Sequence, residues 1–236
     1  MKKIFCVTFL IVMMLCSTSF AEEEISPPTI SVSGEGVVEA VPDRATISVA
    51  VVTREKNPSA VQAANARAAK AVIDSIAALG IERKKISTGN YNFNPIYRPL
   101  EKVSRQIEGY EATNSVTIIV DDLNLVGKVI DTALSHGANN VDGLEFGLRD
   151  KTSYRDEALR LAVLDAKRKA EIVAAALGKS IVGVRSVNVN SSSVTAPRNM
   201  KMSRAVMEDA VAFETPIESG TLTCSASVHV EFEISQ

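Results

Sequence analysis

The chain has 236 residues, 46% of them hydrophobic, with 26 basic and 28 acidic side chains and no tryptophan. A formal net charge of −2 over a mixed surface excludes the basic footprint of a nucleic-acid-binding protein. With cysteines at 6, 16 and 224 alone, no disulfide framework can be built.

Lys2 and Lys3 precede an apolar run from Ile4 to Leu15, and Ser19-Phe20-Ala21 follow. This is the layout of a secretory signal peptide over 1–21, with cleavage expected after Ala21. Leu15 is too bulky beside Cys16 for lipidation there. The run is too short to span a membrane, and no later segment reaches the length required. A peripheral association with the envelope is compatible with this. Once Lys2 and Lys3 leave, 24 basic residues face 28 acidic ones, and Cys224 is the one remaining cysteine.

Residues 22–28 read as a flexible, acidic lead. Ile30, Val32, Val38 and Ala40 then alternate along a strand that Gly34 and Gly36 interrupt, as a bulge or a close backbone approach does. Pro42-Asp43 supplies turn chemistry before a second strand carrying Ala45, Ile47, Val49 and Val51, so the two are expected to form a β-hairpin. Asn57 caps a helix that opens on Pro58, with Val61, Ala64, Ala68, Val72, Ile76 and Leu79 as its apolar stripe and Gly80 as its end. Ile86 to Tyr97 is extended, with Tyr91, Phe93 and Tyr97 interleaved by Asn90, Asn92 and Asn94. A strand from Gly109 to Val120 follows. Asp121 or Asp122 then caps a shorter helix carrying Val126, Val129, Ile130, Ala133 and Leu134, and Val141 to Arg149 returns as a strand.

Tyr154 to Gly178 is the clearest helix, capped by Ser153 or Thr152. Apolar residues fall at Leu159, Val163, Ala166, Ala170, Val173 and Leu177. Burial of the four large ones is expected to be worth roughly 6–12 kcal/mol gross, so that a charge at Val163 would be very damaging. Ile181 to Asn190 is a strand, and 191–220 reads as a mobile insertion containing Met200, Met202 and Met207, with a helical portion near 203–211. Leu222, Cys224, Ala226, Val228, Val230, Phe232 and Ile234 close the chain in strict alternation.

The predicted fold class is therefore α+β. It comprises a ferredoxin-like (βαββαβ) antiparallel core over about 44–149, and a second lobe from 29–43 plus 150–236 built with an additional helix and the C-terminal strands.

These residues carry a resemblance to the SIMPL domain family, formerly a bacterial domain of unknown function. The matching stretches are VSGEG at Val32 to Gly36, PDRA at Pro42 to Ala45, NPIY at Asn94 to Tyr97 and GYEATNSVTI at Gly109 to Ile118. Further on are Asp122-Leu123, GANNVDGLEF at Gly137 to Phe146 and EALRLAVLDAKRKAE at Glu157 to Glu171. The end, from Thr215 to Ile234, is similar to the periplasmic immunogenic branch of that family. The resemblance implies export to the periplasm, ring- or channel-like homo-oligomers, an association with oxidative or envelope stress, and no established catalytic residues.

The residues themselves offer little reactive chemistry. His136 sits at a helix C-terminus, where positive charge is favoured. His229 lies near Glu231 and Glu233 and would need ligands from elsewhere to hold a metal. Gly34-Glu35-Gly36 lacks the rest of a phosphate loop, Ser191 to Ser193 lack a neighbouring His and Asp, and Arg83-Lys84-Lys85 read as a solvated loop. No cofactor, metal or catalytic group is expected.

Two residue sets remain as candidates: Tyr91, Phe93 and Tyr97 for an interface or ligand, and Met200, Met202, Met207 and Cys224 for oxidant sensitivity. The leading reading is a non-enzymatic homo-oligomer. The alternative is a small-ligand module lined by the aromatic segment and the methionine-containing loop, its ligand unknown.

Overall fold

A computed structural model describes residues 27–98, 106–195 and 217–236. The signal-peptide reading, its cut after Ala21 and the three methionines at 200, 202 and 207 lie outside the described residues. Among the described residues seven strands and three α-helices run in the order β1 (Thr29–Ala40), β2 (Arg44–Glu55), α1 (Pro58–Ala78), β3 (Ile86–Tyr97), β4 (Ile107–Val120), α2 (Val126–Ser135), β5 (Asn140–Gly147), α3 (Thr152–Ala176), β6 (Ile181–Thr195) and β7 (Leu222–Ile234). The fold is mixed α and β. Its strands form two antiparallel sheets, one of three strands in the order β1-β7-β6 and one of four in the order β3-β4-β2-β5.

The four-stranded sheet buries one face. Ala45, Ile47, Val49 and Val51 of β2 and Val116, Ile118 and Val120 of β4 pack against Ala69, Val72 and Ile76 of α1 and Val126, Val129 and Ala133 of α2. Asn57 caps α1 by accepting from the Ser59 amide at 2.9 Å, and Asp122 accepts from the Asn124 amide at 3.1 Å in the 3-10 turn that leads into α2. Leu134, expected in the α2 stripe, is exposed instead. The α1 stripe holds at Val61, Val72 and Ile76 but also contains Asn65, fully buried. β5 ends short of the far end of β2, and there the Asn139 side chain completes the ladder, donating to Val52 O at 2.7 Å and accepting from Val52 N at 2.9 Å.

The expected β1–β2 hairpin does not form. β1 pairs along its length with β7, Thr29 opposite Glu233 and Ala40 opposite Leu222, while β2 belongs to the other sheet. Alternation marks a strand without naming its partner, and Asp43 steers the chain away from a tight return. Its carboxylate accepts from the Arg149 amide at 2.7 Å and its own amide donates to Gly147 O at 3.1 Å.

The α3 stripe holds at Ala166 and Ala170 and is corrected at its large members. The residues against the sheet are Ala158, Ala162, Ala166, Ala170 and Ala174, one every fourth position. Leu159 packs partly buried against this core, but Val163, Val173 and Leu177 are 40–62% exposed, so their expected burial, and the damage from a charge at Val163, do not hold. Gly34 and Gly36 are the cause. They form no bulge, because the β1–β7 register runs through them unbroken. They bring the β1 backbone against the α3 backbone, where only a methyl-sized side chain fits between the layers. Neither Ser153 nor Thr152 caps α3; Asp150 does, accepting from the Thr152 amide at 2.8 Å.

β6 continues to Thr195, so the first five positions of the expected 191–220 insertion are strand, and 196–216 lies outside the described residues. β7 keeps its alternation, and Cys224 is buried within it.

Arg83, Lys84 and Lys85 form a 3-10 turn held by ion pairs rather than a free solvated loop. Arg83 and Lys70 both reach Asp74, and Lys85 joins Glu82 to Asp121. Arg44 Nε at 2.7 Å and, second, Lys85 Nζ at 2.9 Å hold the Asp121 carboxyl down to about 2. A depressed acid contributes stability that is present above its unfolded pKa and lost as pH falls through the folded one. Asp121→Asn is expected to cost on the order of 1–2 kcal/mol at pH 7, allowing for solvent screening. The gap to wild type should close between about pH 4 and pH 2 in urea titrations; a pH-independent gap would mean that shape and not charge sets the cost.

Candidate functional site

β3 is an edge strand with one neighbour, β4. None of its twelve residues is charged, and every residue from Ser87 to Asn94 is exposed. Tyr91 lies opposite Asn114 and Phe93 opposite Ala112, which places both rings on the face that carries α1. α1 packs on β2 and β4, and the rings lie beyond it. Tyr91, Phe93 and Tyr97 are 39–47% exposed. Phe93 packs on Tyr110 of β4, ring centroids 5.7 Å apart and tilted by 31°, an aromatic pair that adds about 0.5–1.5 kcal/mol beyond burial. The sequence contained Tyr110 on the correct strand face, but its pairing with Phe93 depends on the β3–β4 register. The other β3 face presents Asn90, Asn92 and Asn94 opposite Ser115, Thr113 and Glu111.

Among the described residues this is an open platform whose outer backbone edge, over Ser87–Asn94, meets no further strand. A nearby open recess of about 690 Å³ is lined by Arg54, Lys56, Ile96, Glu108 and Glu111, a charged rim that does not include Tyr91 or Phe93. The platform offers flat apolar area and main-chain hydrogen bonds, the two things a partner strand uses.

The other candidates lie apart from it. Cys224 is buried in β7, and desolvation pushes its thiol pKa up, opposing thiolate formation. His136 Nδ1 sits 2.8 Å from Thr132 O at the end of α2. His229 Nδ1 lies 3.2 Å from Ser33 Oγ on the polar side of β7. Among the described residues no group of three or more His, Cys, Asp or Glu side chains is placed to hold a metal. Asp165 is held well below the usual carboxylate range by Lys169, then by the Glu35 amide and Arg168; the Glu35 amide ties α3 to β1, while Arg168 and Lys169 lie on α3 itself. Among the described residues no helix is long and apolar enough to cross a membrane.

Comparison with known proteins finds sequence matches along nearly the whole chain. The SIMPL family model, described as "Protein of unknown function (DUF541)", matches residues 30–232. The "26 kDa periplasmic immunogenic protein" of Brucella melitensis is 31% identical over 238 residues, covering 96% of this chain and 94% of that protein. The "Uncharacterized protein YggE" of Edwardsiella ictaluri is 26% identical, covering 94% of this chain and 93% of its own. The protein of the same name from Escherichia coli K12 is 28% identical, covering 91% and 86%.

Proposed function

Because the chain belongs to the SIMPL family, we propose that it is a non-enzymatic periplasmic protein that acts as a homo-oligomer, ring- or channel-like, in protection against oxidative or envelope stress. The observation that carries this reading is β3, an uncharged strand whose outer edge over Ser87–Asn94 no other described strand covers and which bears the exposed rings of Tyr91 and Phe93. Such an edge is an aggregation hazard unless another chain covers it. The periplasmic name of the Brucella relative supports the compartment. The stress role rests on the family resemblance and is assigned to envelope integrity, since the Cys224 thiol is buried with its pKa raised. The order β3-β4-β2-β5, with α1 and α2 on one face, supports a ferredoxin-like reading of that lobe.

Light scattering on the signal-free protein tests this. The wild type is expected at a multiple of the monomer mass. Tyr91→Lys/Phe93→Lys is expected to lower that mass while leaving the fold intact, since both side chains are substantially exposed. A wild type that stays monomeric throughout the micromolar range ends the proposal.

A further inference from the structure

The three-stranded sheet has two edges, and the chain treats them differently. α3 lies over β1 and β7 through the alanine stripe. From there it reaches over the β1 edge: Asp165 Oδ2 accepts from the Glu35 amide at 3.1 Å, and Lys169 Nζ donates to Ser33 O at 3.0 Å. Two outward-facing main-chain groups of β1 are thereby occupied, and charge lines that edge. This is how soluble sheets block strand addition.

Among the described residues the β6 edge has no such guard. Its fifteen residues include a single charged side chain, Arg185, and that lies 3.9 Å from Glu231 of the neighbouring strand. Val182, Val184, Val187 and Val189 are 51–63% exposed. Val184, Val187 and Val189 sit opposite Phe232, Val230 and Val228, so they belong to the apolar face that α3 covers elsewhere, but lie past its reach. The flank of α3 on this side adds Leu159, partly buried, which lines a recess with Val189 and Asn190. Irregularities interrupt β6 on either side of Ser186–Asn190, and over that regular stretch a neutral edge bordered by exposed valines contrasts with the charge-lined β1.

We propose that this edge docks the same edge of a second copy, β6 pairing antiparallel with β6′ about a two-fold axis at Asn188. This rests on the homo-oligomer reading and names one of its interfaces. The register follows from the valine spacing. In an antiparallel pair directly opposed residues share a face, so an axis at Asn188 sets Val187 against Val189′ and Val189 against Val187′. The seam carries two valine pairs on the α3 side and Ser186 against Asn190′ on the polar side. Because Arg185 is already matched by Glu231, the self-association brings no unpaired like charges together. Two three-stranded sheets become one continuous sheet with both α3 helices on the same face. The paired core is the regular stretch Ser186–Asn190, between two irregularities of β6, so the contact belongs at the low end of the sizes seen for specific dimers.

The test uses two variants of the signal-free protein. Val187→Lys/Val189→Lys places four ammonium groups along the seam and is expected to lower the light-scattering mass at least twofold, with an unchanged far-UV circular dichroism spectrum. Asn188→Cys is expected to form disulfide-linked dimers on mild oxidation, readable on a non-reducing gel, while buried Cys224 does not. If the lysine variant fails to fold, the cysteine variant decides alone. An oligomeric wild type whose lysine variant keeps its mass, or whose cysteine variant forms no dimer, overturns docking at β6 and leaves the homo-oligomer standing with this edge assigned to a foreign strand. A monomeric wild type overturns both.

Discussion

Gly36→Ala is expected to destabilise the protein by about 3 kcal/mol or more, although it adds a single methyl group. A Cβ at Gly36 would stand 1.9 Å from Ala158 O and 2.6 Å from Ala162 N; one at Gly34 would stand 2.0 Å from Ala162 O and 2.6 Å from Ala166 N. Neither conflict can be relieved by a rotamer, since the methyl is fixed and the atoms it meets are helix backbone. α3 must lift off β1. Every alanine in its stripe then loses contact with the sheet, along with the Asp165 and Lys169 bonds to β1. Gly143→Ala is the control, because a Cβ there meets nothing within 4 Å. It should stay within about 0.5 kcal/mol of wild type. Urea denaturation of the two variants compares them directly. A Gly36→Ala midpoint indistinguishable from that of Gly143→Ala would mean that α3 is not seated on the β1 backbone.

Asn65→Asp should be the next most damaging change, by about 3–5 kcal/mol at pH 7, though it exchanges one amide for an oxygen. Asn65 is fully buried, and its Nδ2 donates to Val51 O at 2.8 Å and to Ala112 O at 3.0 Å, fastening α1 to both β2 and β4. Its Oδ1 has no hydrogen-bond partner among the described residues. An aspartate would point a buried negative charge at two carbonyl oxygens with no donor to offer. Burial and these acceptors raise its folded pKa above the unfolded value, so the variant is penalised most above the folded pKa. The penalty shrinks as pH falls toward the ordinary carboxylate value, where the protonated acid can donate to one of the two carbonyls. Urea titrations at pH 7 and near pH 4 should therefore show the gap to wild type narrowing with acid. A gap that is small at both pH values would mean that α1 does not rest on this amide.

Neither residue was prominent in the sequence. Gly34 and Gly36 admitted two readings, bulge or close approach, and a strand seen alone cannot distinguish them. Asn65 falls between Ala64 and Ala68 of the expected stripe, and polarity argued against an inward position. The platform residues Tyr91, Phe93 and Tyr97 were visible as an aromatic run, but their exposure depends on α1 stopping at β4. The β6 valines were visible as strand residues. That they lie uncovered depends on where α3 sits.

Periodicity along the chain was sufficient for most strands and helices, for the inward face of β7 and for the cap at Asn57, because those features depend on residues within a few positions of one another. Which strands pair, and how near two layers come, depends on residues far apart: Glu35 meets Asp165, and Thr29 meets Glu233. α3 contains both a stripe of large side chains and a stripe of alanines, and hydrophobicity alone favours the large one. Two glycines in a distant strand reverse that preference, since backbone against backbone leaves room for methyl groups and nothing larger.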